Sequence, residues 1–450
     1  MLNLNYDKNY YPMIKALADY DEKVKVLGGV PVSVVVERND GYNYIYSYSA
    51  LKDGVDDALN FKMAERIIKT VLWVCGGYKI IIVGSRAIYE YIKAAYTPTG
   101  LRAFDVDFMQ TVYERSFVVE YADKVPGKKN QSERIGGFID GCRIGFDAGG
   151  SDRKVSAVID GEVVYSEEVV WNPKTEEDPH YHHDGILAAF KTAASKMPRV
   201  DAIGVSTAGV IVADKPMVSS LFLKVDKKKY GEYVKQIYIN TAKEMGAPIV
   251  VANDGDVTAL AGSIDLKDNG VLGIAMGTSE AVGYVNTDGR LNGWISELAF
   301  APVDFNDKAM RDEWSGDYGV GCKYFSQDAV IKLAGIAGIV FEDGLTPAQK
   351  LKTVQKMVEN GDEKAQKIYE DIGLYLAYTI PFYSIFYDIK HLLLLGRVMS
   401  GKGGNIIVET CKKTLYADFP KYKEIDISLP DESSRRVGQS IAAASLCPAK

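Results

Sequence analysis

Several things are scarce in this chain, and each scarcity removes a class of protein. Its five cysteines, Cys75, Cys142, Cys322, Cys411 and Cys447, lie far apart, are odd in number and include no C-x-x-C pair. That spacing argues against a disulfide framework and against a structural zinc site, and points to a reducing compartment. Positive charge is in deficit: 53 Lys and Arg stand against 60 Asp and Glu, a net charge of -7. A nucleic-acid partner is not expected, because phosphate backbones are bound by clustered Lys and Arg. Short basic runs such as Lys227-Lys228-Lys229 read as solvated faces. Long apolar runs are missing too. The longest uncharged stretch, Ile372 to Tyr387, holds Pro381, Ser384 and four tyrosines. It falls short of the ~20 apolar residues of a membrane span and reads as a buried helix. The N-terminus, Met-Leu-Asn-Leu-Asn-Tyr-Asp-Lys, has no basic start followed by an apolar run, so no signal peptide is expected. Together these absences describe a soluble, cytoplasmic protein with no membrane partner.

What is present makes several cores. Hydrophobic residues are 47% and charged residues 25% of 450 positions, a globular composition over a length that calls for more than one domain. Up to about Asp140 the pattern is α+β. Val32, Val34 and Val36 face Tyr42, Tyr44, Tyr46 and Tyr48 across an Asn39-Asp40-Gly41 turn, a strong hairpin signal. A helical pattern runs from Phe61 to about Val74, then a strand from Lys79 to Val83, then a helix from Ser85 to Tyr96. The polar stretch Pro126 to Arg134 reads as a linker. From Gly141 the chain alternates strands with helices. Strands are expected at Arg143–Asp147, Val155–Ile159, Glu162–Tyr165, Ala202–Ser206 and Pro248–Ala252, with helices at Gly185–Met197 and Tyr230–Met245. The theme returns in a third segment with strands at Val271–Ala275, Ala281–Val285 and His391–Leu395, and a final helix from about Glu432 to Leu446. Such alternation implies α/β sheets.

Two glycine turns at strand ends, Asp147-Ala148-Gly149-Gly150-Ser151 and Met276-Gly277-Thr278-Ser279, suit close backbone approach to phosphates. Each taken alone is also explained as a hairpin turn. Between them Val251-Ala252-Asn253-Asp254 runs from a strand into a helix, where an acid either serves chemistry or caps the helix.

Taken in order, these motifs resemble the ROK family of sugar kinases and sugar-responsive repressors, within the actin-like kinase superfamily. Ile144-Gly-Phe-Asp-Ala-Gly-Gly-Ser151 looks like its first phosphate motif, and Gly204-Val-Ser-Thr-Ala-Gly209 like its strand and turn beside the sugar. Ala252-Asn-Asp-Gly-Asp-Val-Thr-Ala-Leu260 looks like the catalytic motif, Gly273-Ile-Ala-Met-Gly-Thr278 like the second phosphate motif, and Leu394-Leu-Gly396 like the adenosine motif. The resemblance covers roughly residues 143 to 446. It implies two actin-like (ribonuclease H-like) α/β lobes with a nucleotide between them: residues 141–262 completed by the C-terminal helix, and residues 263–431, preceded by an α+β domain over 1–140. It implies ATP and Mg²⁺ as cofactors, a small sugar as substrate, and a homodimer as an assembly common among members. Asp254 would be the general base, Asn253, Gly209 and Glu297 would bind sugar, and Asp147 would orient Mg²⁺. Gly149, Gly150, Ser151, Gly277 and Thr278 would hold phosphates, and Gly396 would make room for the nucleoside. Glu297 is equally read as a solvated loop acid.

The chain departs from the family at four places. Phe300 stands where a sugar-binding His is usual, so an aromatic surface for a different sugar is one expectation. The cysteine-rich zinc loop is reduced to Gly316-Asp-Tyr-Gly-Val-Gly-Cys322, so no structural zinc is expected. Ser279 and Glu280 occupy the second phosphate motif, where a carboxylate would repel phosphate unless it points away or binds metal. Arg397 replaces the second glycine of the adenosine motif. These departures support an alternative, a non-catalytic sugar or nucleotide sensor of the same fold. Outside the motifs, His180, His182 and His183 read as an exposed loop before a helix capped by Asp184, with a metal or ligand loop as the alternative. The tyrosines of the hairpin read as strand packing, with carbohydrate stacking as theirs.

Overall fold

The computed structural model describes residues 2–130, 135–430, 438–439 and 441–449. The first part of the chain is built on the expected hairpin. Strands β1 (Gly29–Glu37) and β2 (Asn43–Leu51) pair antiparallel, with Val32, Val34 and Val36 opposite Tyr48, Tyr46 and Tyr44. The turn between them places Asp40 and Gly41 in the left-handed region, the conformation an Asp-Gly pair accepts most easily. β3 (Lys79–Val83) pairs with β1, and β4 (Val118–Tyr121) pairs with β3, giving the order β2-β1-β3-β4. Around this sheet lie α1 (Met13–Leu27), α2 (Asp57–Cys75), α3 (Arg86–Ala95) and α4 (Ala103–Tyr113). Asp56 caps α2 by accepting from the Leu59 N–H, and the helix then runs with almost every residue buried. Two of the half-buried hairpin tyrosines pack on the third part of the chain: Tyr44 lies edge-on to Trp294, and Tyr44 and Tyr46 both meet Phe386.

The second part carries a mixed sheet of order β11-β8-β5-β6-β7, formed by β5 (Cys142–Ala148), β6 (Asp152–Ile159), β7 (Glu162–Val170), β8 (Ala202–Thr207) and β11 (Ile249–Asn253). β5, β8 and β11 run parallel, so Ala148, Thr207 and Asn253 end the three strands side by side. A small hairpin, β9 (Val210–Val212) and β10 (Lys215–Val218), follows β8. Helix α5 spans Pro179–Ala194. The single helix expected from Tyr230 to Met245 is two, α6 (Lys227–Glu232) and α7 (Ile237–Met245), separated by a 3₁₀ turn at Val234–Gln236. Gly231, a weak helix former, lies in the last turn of α6. Helix α8 (Asp254–Leu266) leaves β11 and packs on the third part of the chain.

That part holds the sheet β13-β12-β14-β15, from β12 (Val271–Met276), β13 (Glu280–Val285), β14 (His391–Leu395) and β15 (Asp426–Ser428), with α9 (Gln327–Ile336), α10 (Pro347–Glu359), α11 (Glu363–Tyr383) and α12 (Lys402–Asp418). The uncharged stretch forms the second half of α11 and the four residues after it, and most of it is buried as expected. No helix among the described residues is long and apolar enough to cross a membrane.

The cores follow this order only in part. One apolar cluster fills the second part around Phe146, Phe190 and Tyr238. A smaller one joins α8 to the C-terminus through Leu260, Leu393, Ala443 and Leu446. The largest is shared: residues of the first part, such as Val34, Trp73 and Met109, are continuous with Phe300, Val330 and Tyr375 of the third. The N-terminal strap reinforces that union, since Met13 N–H donates to Val303 (3.1 Å) and Phe305 N–H to Tyr11 (2.7 Å). Residues 126–130 have no regular structure, and the rest of the linker stretch, 131–134, lies outside the described residues. So do 432–437 and 440 of the expected final helix; residues 441–444 are helical, and beyond them the Cys447 carbonyl accepts from Arg143 Nη1 of β5 at 2.6 Å.

Candidate active site

The C-terminal ends of parallel strands are where α/β sheets gather chemistry, and the sequence motifs lie there. β5 ends in Asp147-Ala148 and turns through Gly149-Gly150-Ser151. Asp147 Oδ1 accepts from Ser206 Oγ on β8 at 2.8 Å. Burial raises the Asp147 carboxyl above its ordinary range, against the opposing pull of Ser206 and Lys154. Two residues beyond β8 lies Gly209, whose φ of 116° suits glycine and whose carbonyl accepts from the Asn253 Nδ2 at 2.8 Å. Asn253, not Asp254, is the cap of α8: its Oδ1 accepts from Gly255 N–H at 2.8 Å. That leaves Asp254 in the first turn, its carboxyl accepting from the Gly255 N–H at 3.0 Å. Burial and the neighbouring Asp147 push Asp254 up to about 6. Asp256, one residue beyond Gly255, accepts from Tyr284 N–H and is pushed up to about 7 by burial and by Asp254.

Glu297 reaches this group from elsewhere. Burial, then Asp254 and Asp256, raise it to about 7, so the carboxyls sense one another. Its backbone is fixed by the first part of the chain: Glu297 N–H donates to Trp73 (2.9 Å) and Ser296 N–H to Val74 (3.0 Å), the last carbonyls of α2. Ser296 is held in the left-handed region at φ 47°, a strained conformation for a serine that surrounding contacts must impose.

The second turn, Gly277-Thr278-Ser279, follows β12, and Gln327 N–H donates to the Gly277 carbonyl at 2.9 Å. β14 ends beside it at Gly396, φ 94°, packed so closely on Met276 that no side chain fits. Two cations missed as site residues adjoin the turns. Arg397 Nη2 donates to Thr278 Oγ1 at 2.6 Å, so the residue that breaks the adenosine motif bridges it to the phosphate turn. A Cβ on Gly150 would stand 2.9 Å from Lys174 Nζ. Arg397 is visible in the sequence as a departure, whereas Lys174 carries no local signal.

Two expectations are corrected, those on Phe300 and on the histidine loop, and Glu280 takes one of the alternatives left open for it, pointing away from the phosphate turn. Glu280 is not on the phosphate turn's open side; it is buried at Gly321, among Glu297 and Tyr383, and pushed up to about 8 mainly by burial. Phe300 forms no cleft surface: it is buried against Trp73 (4.6 Å between ring centres), Phe104 and Trp314, because α2 and α4 occupy that side. His180, His182 and His183 are in the first turn of α5, capped by Asp178 and not Asp184, and His182 Nε2 bonds the Pro173 carbonyl at 2.9 Å.

No protein-family model matches the sequence, and no curated protein matches it. Solved structures do. A ROK hexokinase from Thermus thermophilus is similar at TM-score 0.53 and 17% identity, over 67% of this chain and 97% of the hexokinase. A ROK-family transcriptional regulator, a homologue of the E. coli MLC protein, is similar at TM-score 0.52 and 18% identity, over 68% and 78%. The fold is that of the ROK proteins.

Within that ROK fold, the loop at the position of the reduced zinc motif is held by charge. Asp317 meets Arg66 (3.1 Å), Lys69 (3.3 Å) and Arg102 (2.9 Å), while Lys69 also meets Asp105 (2.6 Å). Among the described residues no group of three or more His, Cys, Asp or Glu is arranged to hold a metal ion.

Proposed function

We propose that this chain transfers a phosphoryl group from ATP to a sugar hydroxyl, with Asp254 as general base. The observation that carries the reading is that Asp147 and Asp254, at strand ends flanked by two glycine turns, lie with the Glu297 loop close enough for Asp147 to raise Asp254 and for Asp254 to raise Glu297. A base that titrates near 6 is charged at neutral pH yet still basic enough to take a hydroxyl proton.

The donors would suit a hard cation, since Asp147 and Asp254 offer carboxylate oxygens. With one or two carboxylates available, Mg²⁺ would rely on waters and phosphates for its remaining ligands, its usual arrangement at phosphoryl-transfer sites. When bound, Mg-ATP supplies the phosphoryl group and the charge that stabilises its transfer. Asp147 would face the metal. The backbone at Gly149, Gly150, Ser151, Gly277 and Thr278 would hold the phosphates beside Lys174 and Arg397, and Gly396 leaves space for the nucleoside. Asn253, positioned by Gly209, and Glu297, positioned by α2, would orient the acceptor. Its oxygen then bonds to phosphorus as the bridging P–O bond to ADP breaks, and Asp254 receives the proton. Glu280 and Phe300, turned into the interior, leave these groups in place.

The test is ADP release from Mg-ATP across hexoses, amino sugars and sugar acids. Release that depends on one sugar and disappears in Asp254→Ala is expected; unchanged turnover in that variant would sink the assignment. Silence across the panel, with ATP or a sugar still raising the melting temperature, favours a non-catalytic sensor, a reading the regulator of the same fold keeps in view.

A further inference from the structure

A cavity of about 660 Å³ opens from the proposed acceptor site. Pockets of roughly 300–1,000 Å³ take ligands well beyond a single small ring. Its lining starts at Asn253 and Gly209 but does not include Asp147, Asp254 or Glu297, so it extends away from the reacting group. The far wall comes from the first part of the chain, at the β1–β2 turn with Arg38 and Tyr42, and from Trp294 on the loop after β13. A monosaccharide with a hydroxyl at Asp254 would leave this space to water.

The chemistry of the walls narrows what fills it. Tyr42 and Trp294 offer aromatic surface, and Val212 on β9 offers an aliphatic one, both suited to the apolar face of a sugar ring. Three carboxylates, Asp40, Asp214 and Asp256, line the cavity against one guanidinium. That guanidinium, on Arg38, already donates to the carbonyls of Gly293 and Asn292. Lys129 Nζ, 5.3 Å from the Tyr42 ring centre, likewise donates to the Asp40 carbonyl. Among the described residues acids therefore outnumber bases at this wall, which disfavours an anionic substituent.

We infer that the acceptor is an uncharged sugar carrying a second ring through a glycosidic bond, with the first part of the chain forming the subsite for that second ring. The inference rests on the acceptor-site reading above and deepens it. Asn253 and Asp254 address the ring that is phosphorylated; Tyr42, Val212 and Trp294 enclose the other.

The test compares glucose with cellobiose and maltose, galactose with lactose, and N-acetylglucosamine with chitobiose, as acceptors for Mg-ATP. Val212→Trp fills the cavity and Tyr42→Ala removes part of its wall, and melting temperatures establish that both variants fold. A disaccharide is expected to exceed its monosaccharide in kcat/KM by roughly tenfold or more, with that ratio falling toward one in either variant. A preference for monosaccharides, or a ratio unmoved in both folded variants, overturns the inference and leaves the kinase reading standing. If no sugar yields ADP, the kinase reading fails and calorimetric titration with the same sugars decides the cavity. Disaccharide binding weakened in Val212→Trp then upholds the subsite, and absent or unaltered binding overturns it.

Discussion

Where α2 meets the loop around Asp317, three buried acids face three buried bases: Glu65, Asp105 and Asp317 against Arg66, Lys69 and Arg102. Where β11 runs into α8, Asp147, Asp254, Asp256, Glu297 and Glu280 gather, and among the described residues none of the five is ion-paired. The first cluster depresses Asp317 and raises Lys69 and Arg66, so these charges are held by their partners, while burial pushes Glu65 up to about 7. The second raises every member. Matched buried charge costs desolvation that pairing offsets, and its use is to fix geometry. Unmatched buried charge stores unfavourable energy that a proton or a bound cation relieves, which is why such groups mark functional sites. The two clusters are joined through α2, whose far end presents Trp73 and Val74 to the Glu297 segment.

Breaking one member of each cluster should separate these roles. Asp254→Asn removes a repelled charge, so kcat should fall by about 10²–10⁴ while the urea midpoint stays level or rises. Lys69→Met leaves Asp105 without its cation in the interior, while Asp317 keeps Arg66 and Arg102, and should lower unfolding free energy by about 3–5 kcal/mol, read by the same urea titration. A loss of stability in the first variant, or none in the second, would erase the distinction.

The acid cluster also sets a pH dependence. Asp254 at about 6, Glu297 at about 7 and Glu280 at about 8 all titrate above their unfolded values of about 4. Between those limits the folded protein binds more protons than the unfolded chain, so stability declines as pH rises from about 4 to 8. In Glu280→Gln the decline from pH 6 to pH 8 should shrink by about 1 kcal/mol or more. The smallest effect is expected far from both clusters. Asp178→Ala removes the cap of α5 and should cost about 1 kcal/mol in stability, with sugar-dependent ADP release unaltered.

Strands and glycine turns were legible in the sequence because they are local: alternation over a few residues, or Gly and Asp at a strand end. The hairpin at Asn39-Asp40-Gly41 and the strand Lys79–Val83 match the structure for that reason. The candidate site residues were also readable in order along the chain, as motifs. What escaped depends on contacts between distant positions. Phe300 looked like an altered sugar contact until Trp73, more than two hundred residues earlier, was found packed on it. Glu280 looked like a hazard to phosphate because the turn was visible and the direction of its side chain was not. Lys174 meets Gly150 only after β6 and β7 have returned the chain to the turn. The continuous core shared by the first and third parts has no local signature either.

The most direct measurement is kcat against pH, from 5 to 8.5, for the preferred sugar with Mg-ATP saturating, in the wild-type protein and in Asp254→Asn. If Asp254 takes the acceptor proton, the wild-type rate rises through a pH near 6 and levels off, and the variant is slower by at least about a hundredfold with no such limb. A wild-type rate indifferent to pH in this range, or a variant that keeps the wild-type profile, would contradict the account.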